Sequence, residues 1–199
     1  MSDAAVGRLL AASLHQAIAD VLPTRIEFYE SWLNPSSLRD GRIGLAPLTA
    51  VLSFLRQEGQ YDEVVRRAGE YTAEWTVANL PALQRAIMRA APPAVRLRLV
   101  LRLARRIVRA TFGGSRATVR FRNGGGALGI QGSVFCTVRE RTPLPLCEFY
   151  AAALRKLMHL FTLHVEVATS SCRASGGDGC VMSVLPRAAA GALADGPAC

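Results

Sequence analysis

The spacing of the apolar residues changes near residue 112, and that change constrains the fold more than any other feature. Up to Thr111, apolar residues recur three and four positions apart, which is typical of amphipathic helices. After residue 112, segments appear in which apolar and polar residues alternate, first at Ala117, which is typical of strands with one buried face. The sequence therefore predicts a mainly helical part, residues 1–112, followed by an α+β part, residues 113–186.

Proline, glycine and polar residues divide these parts into elements. Helices are predicted over residues 6–21, from a capping box at Thr24-Arg-Ile-Glu27, over 47–59 and 62–75, after Pro81, and over 94–111. Strands are predicted over 117–122, 128–139, 163–172 and 180–185, with one helix after Pro145 between the second and third. We therefore expect one α+β domain over residues 1–186, a helical layer packed on a four-stranded, mainly antiparallel sheet, and a flexible tail at 187–199.

The composition favours a cytoplasmic protein. A chain of 199 residues can bury a core without disulfides, and five cysteines without a framework spacing fit a reducing compartment. The first residues lack the basic and apolar regions of a signal peptide, and no apolar run is long enough to span a bilayer. The net charge of +9 comes almost entirely from arginine and is not interleaved with aromatic residues, so we expect a solvated basic surface and no nucleic-acid partner.

The chain shows no recognised catalytic spacing. Glycines at 124, 126 and 129 match G-x-G-x-x-G, but a strand-like segment follows them where the dinucleotide motif requires a helix. His15, His159 and His164 are too dispersed to activate a serine. These observations favour a binding domain over an enzyme.

Three cysteines in the last third form the main candidate site. Cys172 and Cys180 bracket a glycine-rich turn that can bring both sulfurs to one point, and Cys147 opens the amphipathic helix after Pro145. Three thiolates at about 2.3 Å would satisfy most of a tetrahedral zinc shell, so zinc is the predicted cofactor. Buried core thiols and a redox pair remain alternatives. Glu166, Cys136 or a water could be the fourth ligand, whereas Cys199, in the tail, is not expected to be one.

The same stretch resembles a known family. With Pro-Leu-Cys at 145–147, Cys172, the glycines at 176–179 and Cys180-x-x-x-Val184, residues 114–186 are similar to the 4-vinyl-reductase-type domain. The resemblance implies the fold of the vesicle-tethering TRAPP subunits, and kinship to the sensor domains of phenol-responsive activators, where such cysteines and a carboxylate hold zinc beside an aromatic-ligand pocket. Thr169 stands where many members carry the glutamate.

Two further surfaces are candidates for binding. The helix that starts near Cys147 places four side chains on one face that could wall an apolar pocket or simply pack in the core: Tyr150, Leu154, Leu157 and Met158. In the helix over 94–111, Arg98, Arg102, Arg105 and Arg109 form one basic face, which could contact anionic lipid, grip an anionic ligand or remain solvated. The TRAPP-like resemblance also implies a homodimer through the helices between residues 47 and 75.

From these features we predict a zinc-stabilised domain that binds a hydrophobic small molecule, whether aromatic, lipid-like or tetrapyrrole. One alternative, implied by the family resemblance, is a 4-vinyl reductase or an accessory protein of bacteriochlorophyll biosynthesis. A second alternative is a TRAPP-like scaffold or membrane adaptor.

Overall fold

The computed structural model describes residues 6–33, 44–122, 124–138 and 140–186, which form seven α-helices and one four-stranded sheet. The helices are α1 Arg8–Val21, α2 Ile26–Glu30, α3 Leu45–Leu55, α4 Tyr61–Ala78, α5 Ala82–Ala90, α6 Pro93–Thr111 and α7 Glu148–Leu160. The strands are β1 Arg116–Arg122, β2 Gly125–Gln131, β3 Val165–Ser171 and β4 Cys180–Pro186. The predicted α+β class, with helices first and a four-stranded sheet second, is confirmed.

The sheet is antiparallel throughout, with the strand order β1-β2-β4-β3. Helix α7 connects β2 to β3, so that the last strand in the sequence, β4, lies between β2 and β3. Alternate residues on these strands are buried, including Leu128, Ile130, Met182 and Val184. Their shared face turns toward the helices, as the period of two predicts.

The helices form layers on that face. Helices α6 and α7 contact the sheet, α4 packs on α7, and α1 packs on α4. One continuous group of buried side chains extends through these layers from Val6 to Val184. The chain near its start is joined to the end of α6, because the Gly7 amide donates to the Thr111 carbonyl at 2.9 Å and Val6 pairs with Phe112.

Helices α4 and α7 approach each other closely at Gly69. A Cβ atom at this position would lie 2.2 Å from the Phe149 carbonyl oxygen and 3.1 Å from the Cβ of Ala152. Only glycine on one helix and alanine on the other allow backbones to come this near. The first turn of α7, where Cys147 lies, is therefore seated directly against α4.

Several predicted elements need correction. The second strand ends at Gln131 and not at residue 139, because Gly132 has a φ of 69° and turns the chain into a 3-10 helix, Val134–Cys136. The predicted capping box at Thr24 is wrong, since Pro23–Arg25 is a 3-10 helix and α2 begins without a side-chain cap. The predicted tail at 187–199, with Cys199, lies outside the described residues.

Across the described ranges, no helix combines the length and the apolar character needed to cross a bilayer.

Candidate metal centre

Four cysteine side chains converge at one buried point between the sheet and the start of α7. Cys136, Cys147, Cys172 and Cys180 are all buried, and their sulfur atoms all lie within 4.8 Å of one another. Three of them are the cysteines that the sequence predicted as metal ligands. The fourth, Cys136, was one of three alternatives for the remaining position.

Cys136 and Cys147 reach this point from the segment between β2 and α7. Gly132 reverses the chain after β2, and the 3-10 helix Val134–Cys136 then aims the Cys136 side chain inward. Cys147 is the N-cap residue of α7, and its carbonyl accepts the Tyr150 amide at 3.1 Å. Cys147 thus lies at the positive end of a helix dipole, which opposes the rise in its pKa that hydrogen bonding to the neighbouring thiols and burial cause.

Cys172 and Cys180 come from the two ends of the β3–β4 connection. The Cys172 carbonyl accepts the Gly177 amide at 2.9 Å, and Gly176, with a φ of 102°, allows the reversal. The pairing of β3 with β4 shifts register between Thr169 and Ser171, so simple alternation along β3 does not hold. A backbone hydrogen bond from Thr142 to the Ala174 carbonyl, at 2.8 Å, ties this turn to the segment that carries the other two cysteines.

The sulfur separations among Cys136, Cys172 and Cys180 are close to those around a tetrahedral ion, and the Cys147 sulfur lies within 4.8 Å of all three. The distances are 3.4 Å for Cys180 to Cys136, 3.5 Å for Cys136 to Cys172 and 4.0 Å for Cys180 to Cys172. Four sulfurs at about 2.3 Å from a central metal are about 3.8 Å apart. A disulfide would need about 2.05 Å. These three pairs therefore have the spacing of a thiolate cage, with the sulfurs too far apart to be bonded.

Electrostatics within the cluster favours at least one thiolate. Hydrogen bonds from the Cys136 and Cys147 thiols lower the pKa of Cys180 to about 3. Conversely, hydrogen bonding to Cys136 and Cys180, together with burial, raises the pKa of Cys147. A cation placed among the four sulfurs would stabilise the thiolate forms of all of them, because metal binding displaces thiol protons.

Polar groups beside Cys136 have no partner among the described residues. Three buried side-chain atoms lack a hydrogen-bond partner there: Arg56 Nε, Tyr61 Oη and Ser133 Oγ. Arg56 also donates through Nη2 to the Phe135 carbonyl at 2.8 Å, next to Cys136 in the chain. Ser133 precedes Cys136 by three residues, and the Cys136 charge contributes to the pKa of Tyr61, which burial raises to about 12. A negatively charged thiolate centre would offer these donors an acceptor.

Other residues considered for the fourth ligand lie elsewhere. Glu166 and His164 are exposed, and Thr169 is partly exposed on β3, outside the sulfur cluster. Cys136 was harder to assign because the sequence placed it in a continuous strand. In the sequence, Gly132 was the residue that could have indicated an earlier end of that strand, because its left-handed conformation ends the strand.

The predicted pocket residues belong to the core. Tyr150, Leu154, Leu157 and Met158 are all buried. The space among α6, α7 and β2, which the first three of them help to line, measures about 10 Å³. The Tyr150 hydroxyl is 3.3 Å from Thr111 Oγ1, and burial raises the pKa of Tyr150 to about 12. These side chains pack α7 against α6, and the space among them is too small for an organic ligand.

Comparison with known proteins gives a fold but no family. No protein-family model matches the chain, and no curated protein matches it. The chain is similar in structure to a histidine-to-glycine mutant of the SO2144 H-NOX domain from Shewanella oneidensis, solved by NMR in the Fe(II)CO ligation state. The TM-score is 0.53 at 12% sequence identity, and the match covers 92% of this chain and 98% of the other.

This likeness overturns the family predicted from the cysteine motif. The predicted 4-vinyl-reductase-type and TRAPP-like assignment is wrong, because the structural neighbour is an H-NOX domain, a different fold family. The predicted function, a zinc-stabilised domain for a hydrophobic or tetrapyrrole ligand, falls with it, as do its alternatives in vinyl reduction, bacteriochlorophyll biosynthesis and TRAPP-like scaffolding. The prediction of zinc as the cofactor is also contradicted, since the neighbour is an H-NOX domain solved in an Fe(II)CO ligation state. With 12% identity, the comparison establishes an H-NOX-like fold for this chain.

Proposed function

We propose that this chain is a metal-responsive regulatory domain built on an H-NOX-like fold. A thiophilic metal ion bound by Cys136, Cys147, Cys172 and Cys180 would join the start of α7 to the β3–β4 hairpin. Loss of the ion would release that connection. The observation that carries this proposal is the convergence of four buried sulfurs within 4.8 Å of one another, with 3.4 to 4.0 Å between those of Cys136, Cys172 and Cys180.

Two features support a resident ion over four uncoordinated thiols. Buried sulfur atoms at these distances have mainly each other as partners, and thiols are weak donors and acceptors. Arg56 bonds to the residue before Cys136, Ser133 precedes Cys136 by three residues, and the Cys136 charge acts on Tyr61, so the free donors of all three could stabilise bound thiolates. A four-sulfur tetrahedral shell suits a closed site, in which the ion contributes to folding and holds no open coordination position.

Heme is the cofactor that the structural neighbour suggests, and neither the histidines nor the space beside α6 and α7 fits it. Heme iron takes an axial His, Cys, Met or Tyr within a pocket. His159 and His164 are exposed, and His15 is 3.0 Å from Glu30 near the surface. The space of about 10 Å³ beside α6 and α7 is far below the roughly 300–1,000 Å³ of ligand pockets. We therefore propose no heme between α6 and α7.

Metal analysis of the protein purified without added metal tests the proposal. We expect one equivalent of a divalent ion per chain in the wild type and loss of the ion in Cys136→Ser and Cys180→Ser variants. Cobalt(II) added to the stripped protein should give the strong visible bands of tetrahedral thiolate coordination. Cys199→Ser is the matched control, because it removes one thiol from outside the described residues.

Stability measurements separate a structural ion from a loosely bound one. Removing the metal with a chelator should lower the melting temperature of the wild type, because binding free energy in such sites is also folding free energy. If the purified wild type contains no metal and does not bind added cobalt(II), the proposed metal centre is wrong. Titration with hemin gives the independent test of the heme class, and stoichiometric binding with a shifted Soret band would restore it.

A further inference from the structure

Helix α5 exposes the apolar side that an amphipathic helix normally buries. Of its nine residues, only Met88 is buried. Leu83 and Ile87, one turn apart, are 73% and 57% exposed. Two large apolar side chains exposed next to each other on one helix face indicate an interaction surface.

A groove lies between α5 and α6 beside these two side chains. It has a volume of about 440 Å³. Met88 and, from α6, Leu99 and Leu103 line it together with Gln84, Arg102 and Arg106. Its lining residues include no acidic side chain. The groove is therefore lined mainly by apolar side chains, and the charged residues that line it, Arg102 and Arg106, are both basic.

Further exposed arginines follow along α6. Arg98, Arg102, Arg106 and Arg109 are exposed, and Arg105 is half-buried. Within the described part of the chain, no carboxylate lies within 4 Å of any of them. The Arg98 guanidinium lies 5.6 Å from the centre of the Phe121 ring, which is itself exposed. We name this combined surface of Leu83, Ile87 and the α6 arginines the α5–α6 face.

The charge of the α5–α6 face restricts what can cover it. A second copy of the same face would bring two rows of arginines together, and like charges at close range are costly. Nucleic acid would meet the arginines but would leave Leu83 and Ile87 without apolar partners. A surface that offers both negative charge and hydrocarbon satisfies both features, and an anionic bilayer is such a surface.

We propose that the α5–α6 face docks on the surface of a membrane that contains anionic lipids. Leu83 and Ile87 would enter the boundary between headgroups and acyl chains, with the axis of α5 parallel to the bilayer. The α6 arginines would pair with lipid phosphates while their aliphatic stems cover the groove. This binding is peripheral, and the residues that line the groove include none of the four cysteines of the metal centre.

Vesicle co-sedimentation of the full chain tests this proposal. We expect binding to vesicles of phosphatidylcholine mixed with phosphatidylglycerol, little binding to phosphatidylcholine alone, and weaker binding as salt rises. Arg102→Gln and Arg106→Gln should each weaken binding about fivefold, given about 1 kcal/mol per arginine near an anionic surface. The double variant Leu83→Gln and Ile87→Gln should weaken vesicle binding by more than either arginine variant does, and its circular dichroism spectrum should match that of the wild type.

The matched control removes the same charge from another surface. Arg116 and Arg120 lie on β1, at the outer face of the sheet. Arg116→Gln with Arg120→Gln should leave vesicle binding largely intact. Equal losses for this pair and for Arg102→Gln with Arg106→Gln would overturn the proposal, because binding would then follow net charge alone. The absence of vesicle binding would also overturn the proposal. This holds even if an acidic peptide such as polyglutamate binds the α5–α6 face.

Discussion

Replacing Gly69 by alanine tests the closest contact in the fold, between α4 and α7. The added Cβ would lie 2.2 Å from the Phe149 carbonyl oxygen and 3.1 Å from the Ala153 amide nitrogen. Both are backbone atoms of a helix, so no side chain can rotate away to relieve the overlap. The two helices must instead separate by about 1 Å, which places Cys147 and its sulfur farther from the other three.

Two effects of opposite sign set the magnitude. Alanine in the middle of a helix stabilises it by about 1 kcal/mol relative to glycine. Overpacking against fixed backbone costs about 1–3 kcal/mol, and the separation also exposes apolar area along α4 and α7. We expect a net destabilisation of about 1–2 kcal/mol, which corresponds to a melting temperature lower by about 3–6 °C for a domain of this size.

Thermal and denaturant unfolding measure this change. Gly59→Ala is the control, because a Cβ at Gly59 meets nothing within 4 Å, and it should be neutral or slightly stabilising. A Gly69→Ala variant that is more stable than the wild type by about 1 kcal/mol would show that helix propensity alone governs the position. That outcome would refute the close seating of α7 on α4.

Three other predictions concern single side chains. Burial raises the pKa of Tyr150 to about 12, so the neutral Tyr150 hydroxyl should contribute fully to the free energy of unfolding below pH 10. That contribution should fall by up to about 3 kcal/mol as the pH rises toward 12. In the Tyr150→Phe variant, the free energy of unfolding should change less over this pH range. Arg56→Met, which removes the donor to the Phe135 carbonyl, should weaken metal binding about tenfold in competition with a chelator, whereas an unchanged affinity would exclude a role in orienting Cys136. The homodimer through the helices of residues 47–75 remains a prediction. Phe54, which is 37% exposed and lies beside Phe28 and Trp32, is the exposed large apolar residue of that region. If the wild type is a dimer, light scattering should show that the Phe54→Asp variant is a monomer.

Periodicity was sufficient to predict the architecture. The apolar residues of α1, α4, α6 and α7 sit at helical spacing and are buried, and the alternation in β1 and β4 marks the face that meets the helices. The same information could not distinguish a core from a pocket. Leu154 and Leu157 have the pattern of a pocket wall, but α6 approaches closely enough to fill the space, and that approach depends on the tertiary packing.

The candidate site was predicted in part, for reasons that concern backbone geometry. Cys172 and Cys180 were predictable because glycines between them permit a tight reversal. Cys136 was ambiguous because a strand and a 3-10 helix can both contain Val-Phe-Cys, and the φ of Gly132 decides between them. The family inferred from the cysteine motif was wrong, since a few thiols at one spacing specify a coordination geometry more strongly than they specify a fold.

The position of β4 in the sheet has a consequence for the synthesis of this protein. A ribosome delivers β1, β2, α7 and β3 before β4, yet β4 is the strand that joins β2 to β3. Until it emerges, β3 has no neighbour in the sheet and the cluster of sulfurs lacks Cys180. The helical layers of the first half can collapse early, because their contacts need only residues already made. Closure of the sheet and completion of the sulfur cage should therefore be a single late event in the life of each nascent chain.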